Sequence, residues 1–596
     1  MKRRDFVGSV ATLPFISIAG CKDSSDNATE ELISTPIVDR IDQAPNDVDV
    51  AFKHGVASGD PLADRVILWT RVSPALSGPQ APASIPVTVI VSRSPEMTDP
   101  TIITTEALAE RDYTVKVDAD GLEPDTWYYF SFGAGNVVSP VGRTRTFPAS
   151  KQRIERARFA TVSCANYAYG HFSAYQALAD VNRWDLDFVL HLGDYLYEYA
   201  PGTYDDPSVP NRSHEPANEI VSLSDYRIRH AQYKTDTHLQ AIHQQYPMIC
   251  IWDDHESTND SYKDGAENHQ PESEGDWPSR KARAIQAYME WMPVREKPED
   301  PESIWRSFQY GDLIDLWMLD TRLEGRDQQV SSPVGLDNSA PDRKLISDQQ
   351  MNWWLDGMTQ SQSVWRMVGQ QVMFAQLNIA ELPTPDALTE QLPFGTLQQG
   401  LNMDQWDGYT ASRNRVLSHI EDNQIDNVIV FTGDIHTSWA NEIYRNPATL
   451  IGDLTDEALA VEFVTPSVTS PGFPEGTSPA VSTAISIANP HIKYSELETR
   501  GFVVMDITRQ RSQAEYYYVA SIADPSRAGE LDLSKTKLVK VDAKQVGKRY
   551  QLQENNLTPT RARIAQTNFR APEARAENQQ LLADTWAHVH RREAKV

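Results

Sequence analysis

Three short clusters hold the residues most able to do chemistry. Gly193-Asp194-Tyr195-Leu196-Tyr197 places a carboxylate and, three residues on, a phenol close enough to face one ion. Trp252-Asp253-Asp254-His255-Glu256 and Gly433-Asp434-Ile435-His436-Thr437-Ser438-Trp439 add further carboxylates and imidazoles, and Cys164 adds a thiol. A single Asp or His after a strand commonly caps a turn or sits satisfied in a core. Here every cluster follows an apolar, β-rich run, and Cys164 ends a fourth. Capping alone does not account for such a series, and the residue types are those that bind metals.

Such residues need elements to position them. Residues 159–164, 188–194, 248–254, 313–320 and 428–434 are short apolar runs that stop abruptly in polar residues, with longer helix-like segments between them. That pattern predicts an α/β layered-sheet domain over 150–545, with ligand-binding residues gathered at strand ends. Ahead of it, 49–149 reads as a small β-sandwich. Runs 66–70, 87–91 and 113–117 are rich in β-branched residues and are separated by Gly/Pro/Asp/Ser clusters. Residues 122–129 form a turn and then an alternating strand, similar to the corner that a tyrosine ties down in fibronectin type III-like sandwiches. The last segment, 546–596, is charged and poor in β-branched residues, which predicts a helical extension.

The chain has 596 residues, enough for two or three domains. With 40% hydrophobic and 23% charged residues it can bury a large core, which excludes a disordered or collagen-like chain. A formal charge of -28 repels a nucleic-acid backbone from most of the surface and argues against specific nucleic-acid binding, without excluding a metal-filled pocket. Three cysteines, Cys21, Cys164 and Cys250, cannot form a disulfide framework. At the N-terminus, Lys2, Arg3 and Arg4 precede an apolar run over 7–20 that is too short to span a bilayer, which reads as a signal peptide over 1–21. Arg3-Arg4 resembles the twin-arginine export signal, whose route carries folded, cofactor-loaded proteins. Ile18-Ala19-Gly20-Cys21 resembles a lipobox with Cys21 as the acylated residue; the other reading makes Cys21 an incidental residue near an ordinary cleavage site. Residues 22–48 are polar and acidic, as in a disordered tether. The expectation is a monomer, exported by the twin-arginine machinery and held by a lipid anchor as a periplasmic or cell-envelope lipoprotein.

Taken in order, the clusters resemble the calcineurin-like metallophosphoesterases, whose motifs also stand at strand ends. The departures resemble one branch, the alkaline phosphatase D (PhoD) family. Cys164 and Asn166 stand where the superfamily has the Asp and His of its first motif. Asp254 replaces its Asn, Asp434 replaces the first His of its last motif, and Tyr197 is added. The segments Gly55-Val56-Ala57-Ser58-Gly59-Asp60-Pro61, Leu319-Asp320-Thr321-Arg322 and Gln370-Gln371-Val372-Met373 agree, and the likeness covers about residues 50–540.

The resemblance implies six metal ligands. Cys164, Tyr197, Asp194 and His436 form a mixed set suited to Fe3+, since thiolate and phenolate donate strongly to it. Asp254 and Asp434, with Asp194 bridging, offer hard oxygens that favour Ca2+. A Cys164 to Cys250 disulfide would remove the thiolate ligand, and Cys250 reads better as a small buried hydrophobe. The implied activity is that of a secreted alkaline phosphatase or phosphodiesterase, hydrolysing phosphate mono- or diesters with a metal-bound water or oxide. His255 is the candidate to protonate the leaving oxygen or steady the phosphate; its alternative is a supporting bond to Glu256 or a backbone carbonyl. Asn166 is placed to donate to a phosphate oxygen, and Arg322 either clamps another or forms a structural ion pair. Loops 198–217 and 324–342 are expected beside the site, the second as a lid. The reading from another class is a surface-anchored metal-containing binding protein without turnover.

Overall fold

The computed structural model of the protein describes residues 49–330, 337–377, 402–445, 447, 457–476, 478–545 and 550–554. Two mixed sheets face each other. The larger has ten strands in the order Leu552–Glu554, Lys537–Asp542, Arg511–Tyr518, Gly501–Thr508, Arg156–Val162, Phe188–His191, Met248–Cys250, Val56–Gly59, Val66–Arg71, Thr114–Ala119. The second has seven, in the order Arg306–Tyr310, Ile314–Met318, Trp365–Gly369, Val428–Thr432, Ala460–Val464, Ser438–Ile443, Ile492–Glu496.

The central strands are short and buried on both faces, so they read as continuous apolar runs rather than as alternating ones. Arg156–Val162, Phe188–His191 and Met248–Cys250 run parallel side by side, which brings their C-terminal ends to one edge. Val428–Thr432 lies centrally in the facing sheet, between parallel neighbours. The sheets meet through aromatic side chains. Phe159 stacks on Phe188 at 4.7 Å and meets Phe431 of the opposite sheet edge-on at 5.5 Å. Such pairs add to the area they bury by about 0.5–1.5 kcal/mol.

Helices cover the outer face of the large sheet, and each starts where the sequence supplies a cap. Ser222 and Asp225 form a reciprocal capping box for Leu223–Lys234, Asp236 caps Thr237–Gln245, and Asp276 caps Trp277–Trp291 with Pro278 in its first turn. Their apolar faces place Tyr226, Tyr233, Leu239, Ile242, Ile285 and Tyr288 in the core shared with the sheet.

The small N-terminal layer structure is a sandwich that lacks a sheet of its own on one side. One layer holds Ser84–Ser92, Thr101–Leu108, Trp127–Ala134, Val137–Val138 and Gly142–Arg145. The other layer is the end of the ten-stranded sheet, joined at the pairing of Gly59 with Met248. Val66, Leu68 and Val115 from that end pack with Val87, Val89, Phe130 and Phe132. The expected tyrosine corner is present: Tyr128 Oη accepts from the backbone N–H of Glu123 at 2.8 Å. Trp69, fully buried, donates its indole N–H to the Glu290 carbonyl at 2.8 Å, tying this end of the sheet to helix Trp277–Trp291.

The helical expectation for 546–596 is corrected at Leu552–Glu554, which pairs antiparallel with Lys537–Asp542 as an edge strand. Residues 555–596 lie outside the described residues, as do 1–48 with the signal and tether readings, and 331–336 of the second loop. Among the described residues, no helix is long and apolar enough to cross a membrane.

Candidate metal centre

The strands end two or three residues before the chemistry begins, and the backbone shows why. Cys164, Asp194, Asp434 and His436 have φ of 60°, 55°, 62° and 61°, all in the left-handed region. A residue held there costs of order 1–3 kcal/mol and persists only where its surroundings hold it in place. The turn at Gly193, with φ at 101°, admits no side chain, since a Cβ would lie 2.4 Å from Asp253 Cβ. The two strand-end turns then interlock. Cys164 N–H donates to the Gly193 carbonyl at 3.1 Å, and Ala165 N–H to the Asp194 carbonyl at 2.9 Å.

Around these turns the structure gathers the predicted ligands into three overlapping groups. Cys164, Asp194 and His436 offer ligand atoms within 4.8 Å of one another, as do Asp194, Asp254 and His255, and Asp253, Asp254 and Asp434. Tyr197 Oη completes the first group, 3.0 Å from Asp194 Oδ2 and 3.1 Å from His436 Nε2, with Ser470 Oγ at 2.6 Å. Asp194 belongs to two of the groups. His436 is oriented through Nδ1, 3.0 Å from the Pro471 carbonyl, which leaves Nε2 for the centre. Both Cys164 and Cys250 are free thiols, and burial pushes Cys250 up to about 12, as suits an inert core residue.

The electrostatics call for cations. Burial, with Asp194 and Cys164 nearby, raises the Tyr197 phenol well above its ordinary range, so a strong positive charge is needed to ionise it. Asp253 is driven well above the usual carboxylate range by burial, against Arg322 and with Asp254, Asp434 and Asp194 adding to it. Its Oδ2 is buried without a hydrogen-bond partner. Thiol, phenol, imidazole and carboxylate on one side, with carboxylates alone on the other, fit a harder and a softer cation position side by side.

Three of the sequence readings are resolved here. Arg322, fully buried, takes the structural ion-pair alternative rather than the phosphate clamp. It pairs with Asp253, with Asp404 at 2.8 Å and with Asp434 at 2.7 Å, so it orders the carboxylates. Asn166 likewise takes another task. Its Oδ1 accepts from Ala168 N–H at 3.0 Å and its Nδ2 donates to the Tyr204 carbonyl at 2.8 Å, which fastens loop 198–217 over the site. His255 has a support the sequence reading did not name, because Nδ1 lies 2.6 Å from Glu198 Oε2. Burial opposes charge on that ring, but Glu198, Asp254 and Asp194 outweigh it and raise His255 to about 10. Glu256 serves instead as a clip, accepting from the N–H groups of Asp194 at 3.2 Å, Tyr195 at 2.5 Å and Asp253 at 2.8 Å.

Sequence reasoning missed Glu198, Asp253, Asp404 and Gln405, whose Nε2 donates to Asp434 Oδ2 at 2.7 Å. Asp253 and Glu198 stood beside residues already singled out, and that adjacency was the available signal. In the sequence no β-rich apolar run leads directly into Asp404 and Gln405, so they carry no such signal.

Comparison with known proteins gives the arrangement a family. The model of the family described as PhoD-like phosphatase matches residues 159–516, and that of its N-terminal domain matches residues 39–148. Alkaline phosphatase D of Bacillus subtilis (strain 168) is 36% identical over 509 residues, covering 82% of this chain and 81% of its own. A solved structure of PhoD superposes with a TM-score of 0.75 at 33% identity, covering 93% of this chain and 100% of its own. Matching in both parts of the chain and over most of its length, the protein belongs to the PhoD-like phosphatases and is a metal-dependent hydrolase of phosphoric esters.

Proposed function

We propose that the protein is an exported alkaline phosphatase and phosphodiesterase working at an iron–calcium centre. The observation that carries the metal assignment is the convergence of Cys164, Tyr197, Asp194 and His436 beside an all-carboxylate group. Cys164, Tyr197, Asp194 and His436 would hold Fe3+, and Asp194, Asp254 and Asp434, with Asp253 beside them, would hold Ca2+. When bound, such a pair lowers the pKa of a water and neutralises charge on the phosphoryl oxygens.

The chain's own residues do the rest. Glu198 holds His255 by Nδ1 and keeps it protonated, so Nε2 is the nitrogen assigned to the leaving oxygen. Arg322, with Arg326 sharing Asp404, spreads positive charge under the carboxylates and keeps Asp434 aimed. Glu256 holds the turns at Asp194 and Asp253 in register by backbone bonds, which preorganises two ligands before any cation arrives.

Export rests on Arg3 and Arg4, and anchoring in the periplasm or cell envelope on Cys21. A folded-protein route suits a centre that must acquire iron before export. Metal analysis by mass spectrometry on protein from its native host, with hydrolysis of p-nitrophenyl phosphate and of its bis ester at alkaline pH, tests the reading. Iron and calcium with turnover support it, and the ratio of the two rates separates monoesterase from diesterase. Zinc alone sinks the ligand assignment, and a fully metallated protein without turnover would favour the binding-protein reading.

A further inference from the structure

Arg322 is consumed by carboxylates, and a different group of half-buried residues lies beside the centre. Loop 198–217 carries Tyr199 and Tyr204, and the turn after Cys164 carries Tyr169; all three rings are half-buried, so each keeps exposed surface. Tyr204 stands on the ligand Tyr197, ring centroids 5.8 Å apart, with its hydroxyl 3.5 Å from His436 Nδ1. Tyr199 packs 5.5 Å from Tyr204 and 5.5 Å from His255, and Tyr169 lies 6.2 Å from Tyr204 on the other side. The three rings thus form a wall running from the proposed proton donor to the iron side.

Arg500 closes the end of this wall. Its guanidinium lies 5.9 Å over the Tyr169 ring, and it is braced by main-chain carbonyls, Nε to Ser470 at 3.2 Å and Nη1 to Glu498 at 2.6 Å. Among the described residues it forms no ion pair with a carboxylate, in a chain of net charge -28 where Arg322 and Arg326 near the site both do. Ser470, which it touches, also contacts the Tyr197 hydroxyl, so Arg500 sits one residue out from the ligands.

The wall is rigid. Asn166 holds the Tyr204 carbonyl, Arg229 donates to the carbonyls of Tyr197 and Tyr199, and Asp206 N–H donates to the Ala168 carbonyl at 3.1 Å. Three half-buried rings held in place, with a guanidinium plane beside them that no carboxylate pairs, form a surface on which another planar ring stacks at little entropic cost.

We propose that Tyr169, Tyr199, Tyr204 and Arg500 form a subsite for the organic group of the substrate, selecting phosphate monoesters that carry a planar ring, an aryl or nucleoside group. The inference rests on the phosphoesterase reading of the centre and names the substrate class for it. The net charge repels a long polyanion, but a single ring on a single phosphate presents its face to the tyrosines and its anion to the cationic centre.

Adenosine 5′-monophosphate and ribose 5-phosphate share the same reacting phosphate on a primary carbon and differ in the base. The test is the ratio of their kcat/KM values in the metal-loaded protein. The expected ratio is about tenfold or more in favour of the nucleotide, falling by about fivefold or more in Tyr169→Leu and in Arg500→Gln and kept in Tyr169→Phe. A ratio near one in the wild-type protein, or one that Tyr169→Leu and Arg500→Gln both leave intact, overturns the subsite. The wild-type ratio decides by itself if a leucine variant does not fold. Absence of turnover on both substrates, on p-nitrophenyl phosphate and on its bis ester removes the phosphoesterase reading and the subsite with it, whereas equal turnover of the nucleotide and the sugar phosphate removes the subsite alone.

Discussion

The side chains of the centre divide into those that face a cation and those that hold them in place, and the two kinds fail differently when changed. Cys164→Ser exchanges a soft donor for a poor one; iron content measured by mass spectrometry should drop, with activity lower by about a hundredfold or more, beyond the 10- to 100-fold typical of losing a supporting partner. Full activity with iron retained would remove Cys164 from the ligands. Glu198→Gln should leave the metal content unchanged and lower kcat by about tenfold, because it takes from His255 the carboxylate that keeps it protonated. Loss of metal in that variant would make Glu198 part of the metal cluster instead. The residues that the structure gathers at the centre could be read from the sequence because each stands at or just past the end of an apolar run. Those that support them could not. Arg322 follows a strand end as Asp254 does, and only the placement of Asp253, Asp404 and Asp434 around it shows that its charge is spent inside the protein.

At the level of elements, the turns matter more than the strands. Gly193→Ala puts a Cβ against Asp253 in a backbone conformation that L-residues rarely adopt, and should cost more than about 2 kcal/mol with loss of metal, read by thermal melting and metal analysis. The same left-handed turns explain why runs read as 159–164, 188–194 and 428–434 are observed as strands ending at Val162, His191 and Thr432: polarity marks the end of a run, but φ decides where pairing stops. A helix end carries the pH dependence. Lys234, the last residue of Leu223–Lys234, is 1% exposed, with Nζ 3.2 Å from His243 Nε2 and 4.5 Å over the Trp69 ring. Burial, offset in part by Cys250, brings its ammonium down to about 7. In the unfolded chain a lysine titrates near 10.4, so between those values only the unfolded state holds the proton and stability rises with pH. Lys234→Met removes that penalty. Its gain in stability over the wild type should be greatest below pH 7, up to about 4 kcal/mol, and should fade as pH approaches 10; urea melts at pH 6.5 and 9.5 that show the same difference would contradict the shift.

For the whole molecule, the two bodies read from the change in sequence texture share one sheet, a fact that pairing across distant residues hides from the sequence. Val56–Gly59 covers the edge at Met248–Cys250, so a chain starting at residue 150 would expose an apolar edge strand and should aggregate, as size-exclusion chromatography would show; a monomeric, metal-loaded truncation would count against that dependence. The export proposal is checked at the same scale. Replacing Arg3 and Arg4 by Lys should leave folded enzyme in the cytoplasmic fraction, and unchanged export would send the chain to another route. The antiparallel pairing of Arg156–Val162 with Gly501–Thr508, where Arg156 stands opposite Thr508, sets the order of events during synthesis. The strand that positions Cys164 cannot gain this neighbour until more than half of the chain has been made after it, which at typical ribosomal speed is roughly 20–70 s. During that wait Cys164, Asp194 and the apolar strands before them lack their cover, which leaves transiently exposed hydrophobic surface open to aggregation.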